Sequence, residues 1–165
     1  MAERWVLNAS PLIVLARVGQ EHLFQALADE IAIPRAVTEE IEAGPPGDPA
    51  RQAVAGGRFP VVDIAPSPEI LAWDLGMGET AVLSLALAEP GWTVILDDAA
   101  ARNCARSFGL SLKGTLAIVI LAKQRGLVSS AADVLRSLLA IGFRLDEQVI
   151  REALSRTVGE MWNDV

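Results

Sequence analysis

Five short apolar runs punctuate this chain, and each is followed by a segment of helical character: Trp5-Val6-Leu7, Ile31-Ala32-Ile33, Val61-Val62-Asp63-Ile64, Thr93-Val94-Ile95-Leu96 and Leu110-Ser111-Leu112. The runs are in the main continuous rather than alternating. A strand that faces water on one side alternates, whereas a strand covered on both faces stays apolar. Strand-helix alternation with buried strands predicts an α/β fold in three layers, with a parallel sheet of four to five strands flanked by helices. Helices are expected from Pro11 to Val18, stopped by Gly19, and from about Gln20 to Ala28. Others are expected from Pro34 towards Gly44, from Thr80 to Ala88 after Gly78-Glu79, and from Ala99 to Phe108. Three more follow at Thr115 to Arg125, near Ser130 to Ala140, and at Asp146 to Arg156. Proline in a first turn and glycine just past a last turn mark several of these ends.

The stretch Gly44-Pro45-Pro46-Gly47-Asp48-Pro49 is too short for a domain boundary and reads as a loop. A chain of 165 residues suits one domain. Residues 1–128 are expected to form its α/β core and 129–165 a helical extension of it. With 52% apolar residues the chain is of globular composition. Its single cysteine, Cys104, excludes an internal disulfide. No apolar stretch reaches the roughly 18 residues needed to span a bilayer. The opening run is too short for a signal peptide. No membrane association and a cytoplasmic location are therefore expected.

A net charge of −7 argues, taken alone, against tight nucleic-acid binding. The distribution alters that. Residues 99–128 contain Arg102, Arg106, Lys113, Lys123 and Arg125 and no acid, so this stretch carries +5 and the rest −12. Chance scatter explains such a run; so does a basic strip beside an acidic pocket, able to hold a phosphate backbone.

In doubly covered parallel sheets, ligands bind beyond the carboxyl ends of the strands. That directs attention to Asn8, Ser10, Asp97 and Asp98. Helix capping explains one aspartate after a strand, but two adjacent acids repel unless something compensates, and a hard cation would do so. Glu79 by itself reads as a first-turn helix carboxylate, and the glycines before it do not have the spacing of a dinucleotide-binding loop. Glu40 adjoins the buried position Ile41 and is expected at the edge of that face, with Glu39 and Glu42 solvated. Asn8 and Ser10 can cap the helix that follows them, or bind a metal or orient a carboxylate. His22, the only histidine, reads as a partly exposed helix residue, and Cys104 as a small core residue.

The order of these segments resembles that of PIN domains. Val6-Leu7-Asn8-Ala9-Ser10-Pro11-Leu12-Ile13 is similar to their first motif. Ile33-Pro34-Arg35-Ala36-Val37-Thr38-Glu39-Glu40-Ile41 is similar to the second, with Glu40 in the acidic position. Gly78-Glu79-Thr80-Ala81-Val82 resembles the third, and Ile95-Leu96-Asp97-Asp98-Ala99-Ala100-Ala101-Arg102 the fourth. The segment from Gly109 to Gly126, with Lys113-Gly114-Thr115-Leu116, resembles the PIN-like subgroup DUF3368. The resemblance covers nearly the whole chain and implies a PIN-like fold. It also implies a Mg²⁺- or Mn²⁺-dependent ribonuclease acting on single-stranded RNA, in many relatives the toxin of a pair with a small antitoxin. Carried over, the catalytic acids are Glu40, Glu79, Asp97 and Asp98. The metal ligands are Asn8, Glu40, Glu79 and Asp98, with Ser10 in support; of the basic stretch, Arg102, Arg106, Lys113 and Lys123 are the residues expected to face the nucleic acid. Asn8 departs from the Asp usual in that first motif and removes one negative charge.

Two other readings stay open. Asn8 and the acidic net charge suit a non-catalytic PIN-like module that binds a protein or RNA. A small-molecule enzyme on a doubly wound sheet suits the fold but not the late position of the paired aspartates. The apolar surface of Val134, Leu135, Leu138, Leu139 and Ile141 is expected to be largely core, with a homodimer or an antitoxin as its other uses.

Overall fold

A computed structural model describes residues 2–162. Position 1 of the expected core and positions 163–165 of the expected extension lie outside the described residues. Five parallel strands form one sheet: β1 (Arg4–Leu7), β2 (Glu30–Pro34), β3 (Val61–Val62), β4 (Trp92–Ile95) and β5 (Ser111–Lys113), in the order β3-β2-β1-β4-β5. β1 is central, with Leu7 opposite Ile95 on β4 and Val6 opposite Ala32 on β2. Its Trp5, Val6 and Leu7 are fully buried, as are Val94 and Ile95 of β4. Their continuous hydrophobicity follows from helices on both faces, and the covered parallel sheet is as the sequence predicts.

Ten helices accompany the sheet among the described residues. α1 (Ala9–Arg17) and α2 (Leu23–Leu27) follow β1; α3 (Arg35–Glu42) and α4 (Pro49–Ala55) follow β2; α5 (Pro68–Leu71) and α6 (Met77–Ala88) follow β3. α7 (Ala99–Ser107) joins β4 to β5, and α8 (Thr115–Gln124), α9 (Ala131–Ala140) and α10 (Glu147–Thr157) complete the chain. α6 packs across β1, β2 and β4 and against α3, while α8 packs against β5, α2, α9 and α10. Gly109 and Gly126 end α7 and α8 at φ of 66° and 72°, where a side chain would be strained.

Three differences from the sequence expectation have local causes. α2 is shorter than 20–28, because Gln20 N–H turns back to Leu15 C=O and Leu23 N–H to Gln20 C=O, a tight turn rather than a helical start. α5 is a single turn opened by Ser67 and Pro68. α4 follows directly on the Gly/Pro loop. Asp48 caps it through Ala50 N–H at 2.9 Å, and Pro49 fills its first position, where a missing N–H costs nothing.

Asp48 also locks that loop to α1. Its Oδ2 accepts from Arg17 Nε at 3.0 Å and Nη2 at 2.7 Å. Burial raises the Asp48 pKa, but the Arg17 and Ala50 hydrogen bonds and the Arg17 charge outweigh it and leave the carboxyl below its usual range. Its stabilisation is therefore present above the ordinary aspartate pKa and is lost as pH falls through the lower folded value. Arg17 is 41% exposed, so screening trims the ion-pair share. Asp48→Ala is expected to lower stability by about 2–3 kcal/mol in urea unfolding at neutral pH, and by less in acid. An unchanged unfolding midpoint would contradict the latch.

Two more links hold the last two helices. The Glu160 carboxylate accepts from Ala131 N–H at 2.9 Å, Ala132 N–H at 3.0 Å and Ser130 Oγ at 3.0 Å, sealing the N-terminus of α9. The Gln124 side chain reaches Thr157 C=O at 3.4 Å and joins α8 to α10.

Candidate functional site

Chain progress reverses direction between β1 and β4, and the crevice at such a switch point lies beyond the strands' carboxyl ends. β1 delivers Asn8 there and β4 delivers Asp97 and Asp98. The two strand ends are tied, because Asn8 N–H donates to Ile95 C=O at 3.2 Å. Asn8 is 3% exposed and its Oδ1 has no hydrogen-bond partner. It stands at the N-cap of α1 without bonding a helix N–H, so the capping role open to it is not used. Leaving a buried acceptor bare costs about 1–3 kcal/mol, which suits this oxygen to a ligand. Ser10 is exposed on the first turn of α1.

Glu40 and Glu79 come from α3 and α6, which pack together. Glu40 Oε1 accepts the N–H of Gly78 at 2.9 Å. Burial, first of all, pushes the Glu40 carboxyl above its usual range; the Glu79 charge adds to this and the Gly78 N–H opposes it. The two acids are thus neighbours that repel. Glycine makes room for both. A Cβ on Gly78 would stand 2.7 Å from Glu40 Oε1, and one on Gly76 would run into Glu79 Oε2. Glu39 and Glu42 are exposed, and so is Glu40, although its carboxylate is partly covered where it meets Gly78.

The adjacent aspartates turn to different helices. Asp98 Oδ2 accepts from Ala101 N–H at 2.9 Å and caps α7. Asp97 accepts from Thr115 N–H at 2.8 Å and from Thr115 Oγ1 at 2.6 Å, at the first residue of α8. Two helix N-termini therefore offset the repulsion that the sequence leaves to a cation. Arg102 adds a third compensation. Its Nη1 donates to Leu96 C=O at 2.9 Å, close enough to Gly114 that a Cβ there would lie 2.6 Å away. Burial, then the Arg106 charge, lowers the Arg102 pKa, with Asp97 opposing.

Of the basic residues, Arg102 and Lys113 share a groove with Asp97. Arg106 is exposed and bonds Asn103 at 3.3 Å. Lys123 lies eight residues along α8 from Thr115, about 12 Å away at helical rise. There its Nζ bonds Ser129 C=O at 2.6 Å and approaches Glu160 at 3.9 Å. The structure thus brings together Glu40 with Glu79, and Asp97 with Arg102 and Lys113, with Asn8 bonded to the end of β4. Lys123 stands apart.

Among the described residues no group of three or more His, Cys, Asp or Glu side chains is arranged to hold a metal ion. The expected ligands Asn8, Glu40, Glu79 and Asp98 are an all-oxygen set of the kind a hard divalent cation takes, but Glu40, Glu79 and Asp98 are not gathered into one such group. The bare Asn8 Oδ1 is the observation that fits such an ion. Sequence reasoning missed Gly76, Gly78 and Gly114, which leave space for charged side chains, and Thr115, which holds Asp97. The Gly76-Met77-Gly78 spacing just before Glu79 is the available signal.

A family model described as DUF3368, a PIN domain, matches residues 4–159. No curated protein matches the chain.

Proposed function

The chain belongs to the DUF3368 group of PIN domains, a nuclease-type family that binds nucleic acid and generally uses divalent metal ions, and from that premise we propose that it is a metal-dependent ribonuclease cleaving single-stranded RNA. The observation that carries this reading is the buried, unpartnered Oδ1 of Asn8, a residue whose N–H bonds Ile95 C=O at the end of β4, just before Asp97 and Asp98. Asn8, Glu40, Glu79 and Asp98 would hold Mg²⁺ or Mn²⁺, with Ser10 in support. Such an ion lowers the pKa of bound water and offsets charge on the scissile phosphate.

The chain's own groups supply the rest. Glu40, steadied by Gly78 N–H, would help orient the attacking water. Asp97, held on both oxygens by Thr115, positions the loop that carries Asp98. Arg102, Arg106 and Lys113 would meet phosphate. A toxin role with a small antitoxin, a homodimer and a cytoplasmic setting belong to the same proposal. No helix among the described residues is long and apolar enough to cross a membrane.

Asn8 and the capping bonds of both aspartates favour a second reading, a non-catalytic module that binds protein or RNA. Calorimetry separates the two. Binding of Mn²⁺ at or below millimolar concentration, tightened about tenfold or more by Asn8→Asp, is expected for the nuclease. No heat of binding at millimolar Mn²⁺ would favour the module. A null effect of Asn8→Asp would remove Asn8 from the ligands.

A further inference from the structure

A groove of about 660 Å³ runs between α8 and α10 and opens beside Asp97. Three cations line it: Arg102, Lys113 and Arg144, the last on the turn between α9 and α10. Asp97 is the only acid in the lining, and its oxygens are already engaged by Thr115. No salt bridge among the described residues engages any of the three cations. Arg102 is held in place by its bond to Leu96 C=O and by the close approach of Gly114, so its guanidinium faces the groove already oriented. A fixed planar fork suits phosphate oxygens better than a mobile ammonium does.

Behind the cations the lining turns apolar. Leu116 and Ile120 form the α8 wall, and Phe143, Leu145 and Val149 the opposite one. Val149 is 49% exposed, a large apolar side chain with no cover. The far end is bridged by the Gln124–Thr157 bond. Cations and an aromatic, apolar lining match a phosphate followed by a base.

We propose that this groove seats the RNA strand on one side of the cleavage centre, with a phosphate on Arg102, Lys113 and Arg144 and the adjoining base against Phe143. The substrate class rests on the nuclease reading, but occupancy of the groove can be measured without cleavage. Fluorescence anisotropy with a short labelled oligouridylate, in EDTA and low salt, compares the full chain with Arg144→Glu and with Ala117→Trp, which fills the groove from the exposed face of α8. Both are expected to weaken binding by about tenfold or more, and Arg144→Glu to reduce the salt slope by about one. Arg58→Glu, an equal charge change on a remote exposed residue, is expected to bind as the parent does. Parental affinity in both groove variants overturns the proposal. Groove variants that lose binding while Glu79→Gln and Asp98→Asn still cleave would leave the groove standing and remove the nuclease centre. The reverse pattern would remove the groove alone.

Discussion

Glu79→Gln and Asp98→Asn are each expected to abolish Mn²⁺-stimulated cleavage of single-stranded RNA, with rates falling by roughly a hundredfold or more. Neither change should unfold the protein. Asp98 caps α7 through Ala101 N–H, and asparagine caps about as well as aspartate. Glu79 lies in the first turn of α6, where loss of its charge costs about 0.3–1 kcal/mol. What both variants remove is negative charge, from the end of β4 in one case and from the start of α6 in the other, and this is what a divalent ion requires. Cleavage rates measured beside thermal melts separate the two effects. Parental cleavage by both variants would reject the nuclease reading. Asp97 is a poorer probe: Thr115 gives it two hydrogen bonds, and an amide there would turn an NH₂ towards one of the donors.

Gly78→Ala is expected to lower the same cleavage by about a hundredfold while leaving the melting temperature within a few degrees. The added methyl would stand 2.7 Å from Glu40 Oε1, so the carboxylate must move. Moving it is cheap for the fold, because the tip of a long side chain gives way and alanine in a helix gains about 0.5–1 kcal/mol over glycine. For the site it is expensive, since a displacement of about 1 Å at a reacting group can cost two orders of magnitude. A folded Gly78→Ala protein that cleaves at the parental rate would show that Glu40 takes no part in the reaction.

The fold was largely legible because burial on both faces writes itself into sequence. Trp5-Val6-Leu7 and Thr93-Val94-Ile95-Leu96 are apolar at consecutive positions, and in a sheet only double coverage demands that. α4 was also legible, yet easily passed over. Asp48-Pro49 is a cap followed by a favoured first residue, but it stands at the end of a Gly/Pro stretch whose loop signal dominates. Asn8 and the two aspartates follow from the rule that strand ends carry function. Their bonding does not. That Asp97 turns to Thr115 and Asp98 to Ala101 depends on where α8 begins relative to β4, and Lys113-Gly114-Thr115 gives no local sign of a partner 18 residues earlier. Arg144 was hidden for the same reason. It lies outside the basic stretch 99–128 and reaches the groove only through the packing of α10 on α8.

The central place of β1 has a consequence for biosynthesis. Its Leu7 must wait for Ile95 before its second flank is paired, and Asp97 waits further for Thr115. Contacts of such sequence separation form late, since the intervening loop must close first. A nascent polypeptide emerging from the ribosome would therefore carry Asn8 without the acids that complete the crevice until β4 and the residues after it have emerged. Any hydrolytic power the crevice has is withheld until Thr115 has followed them.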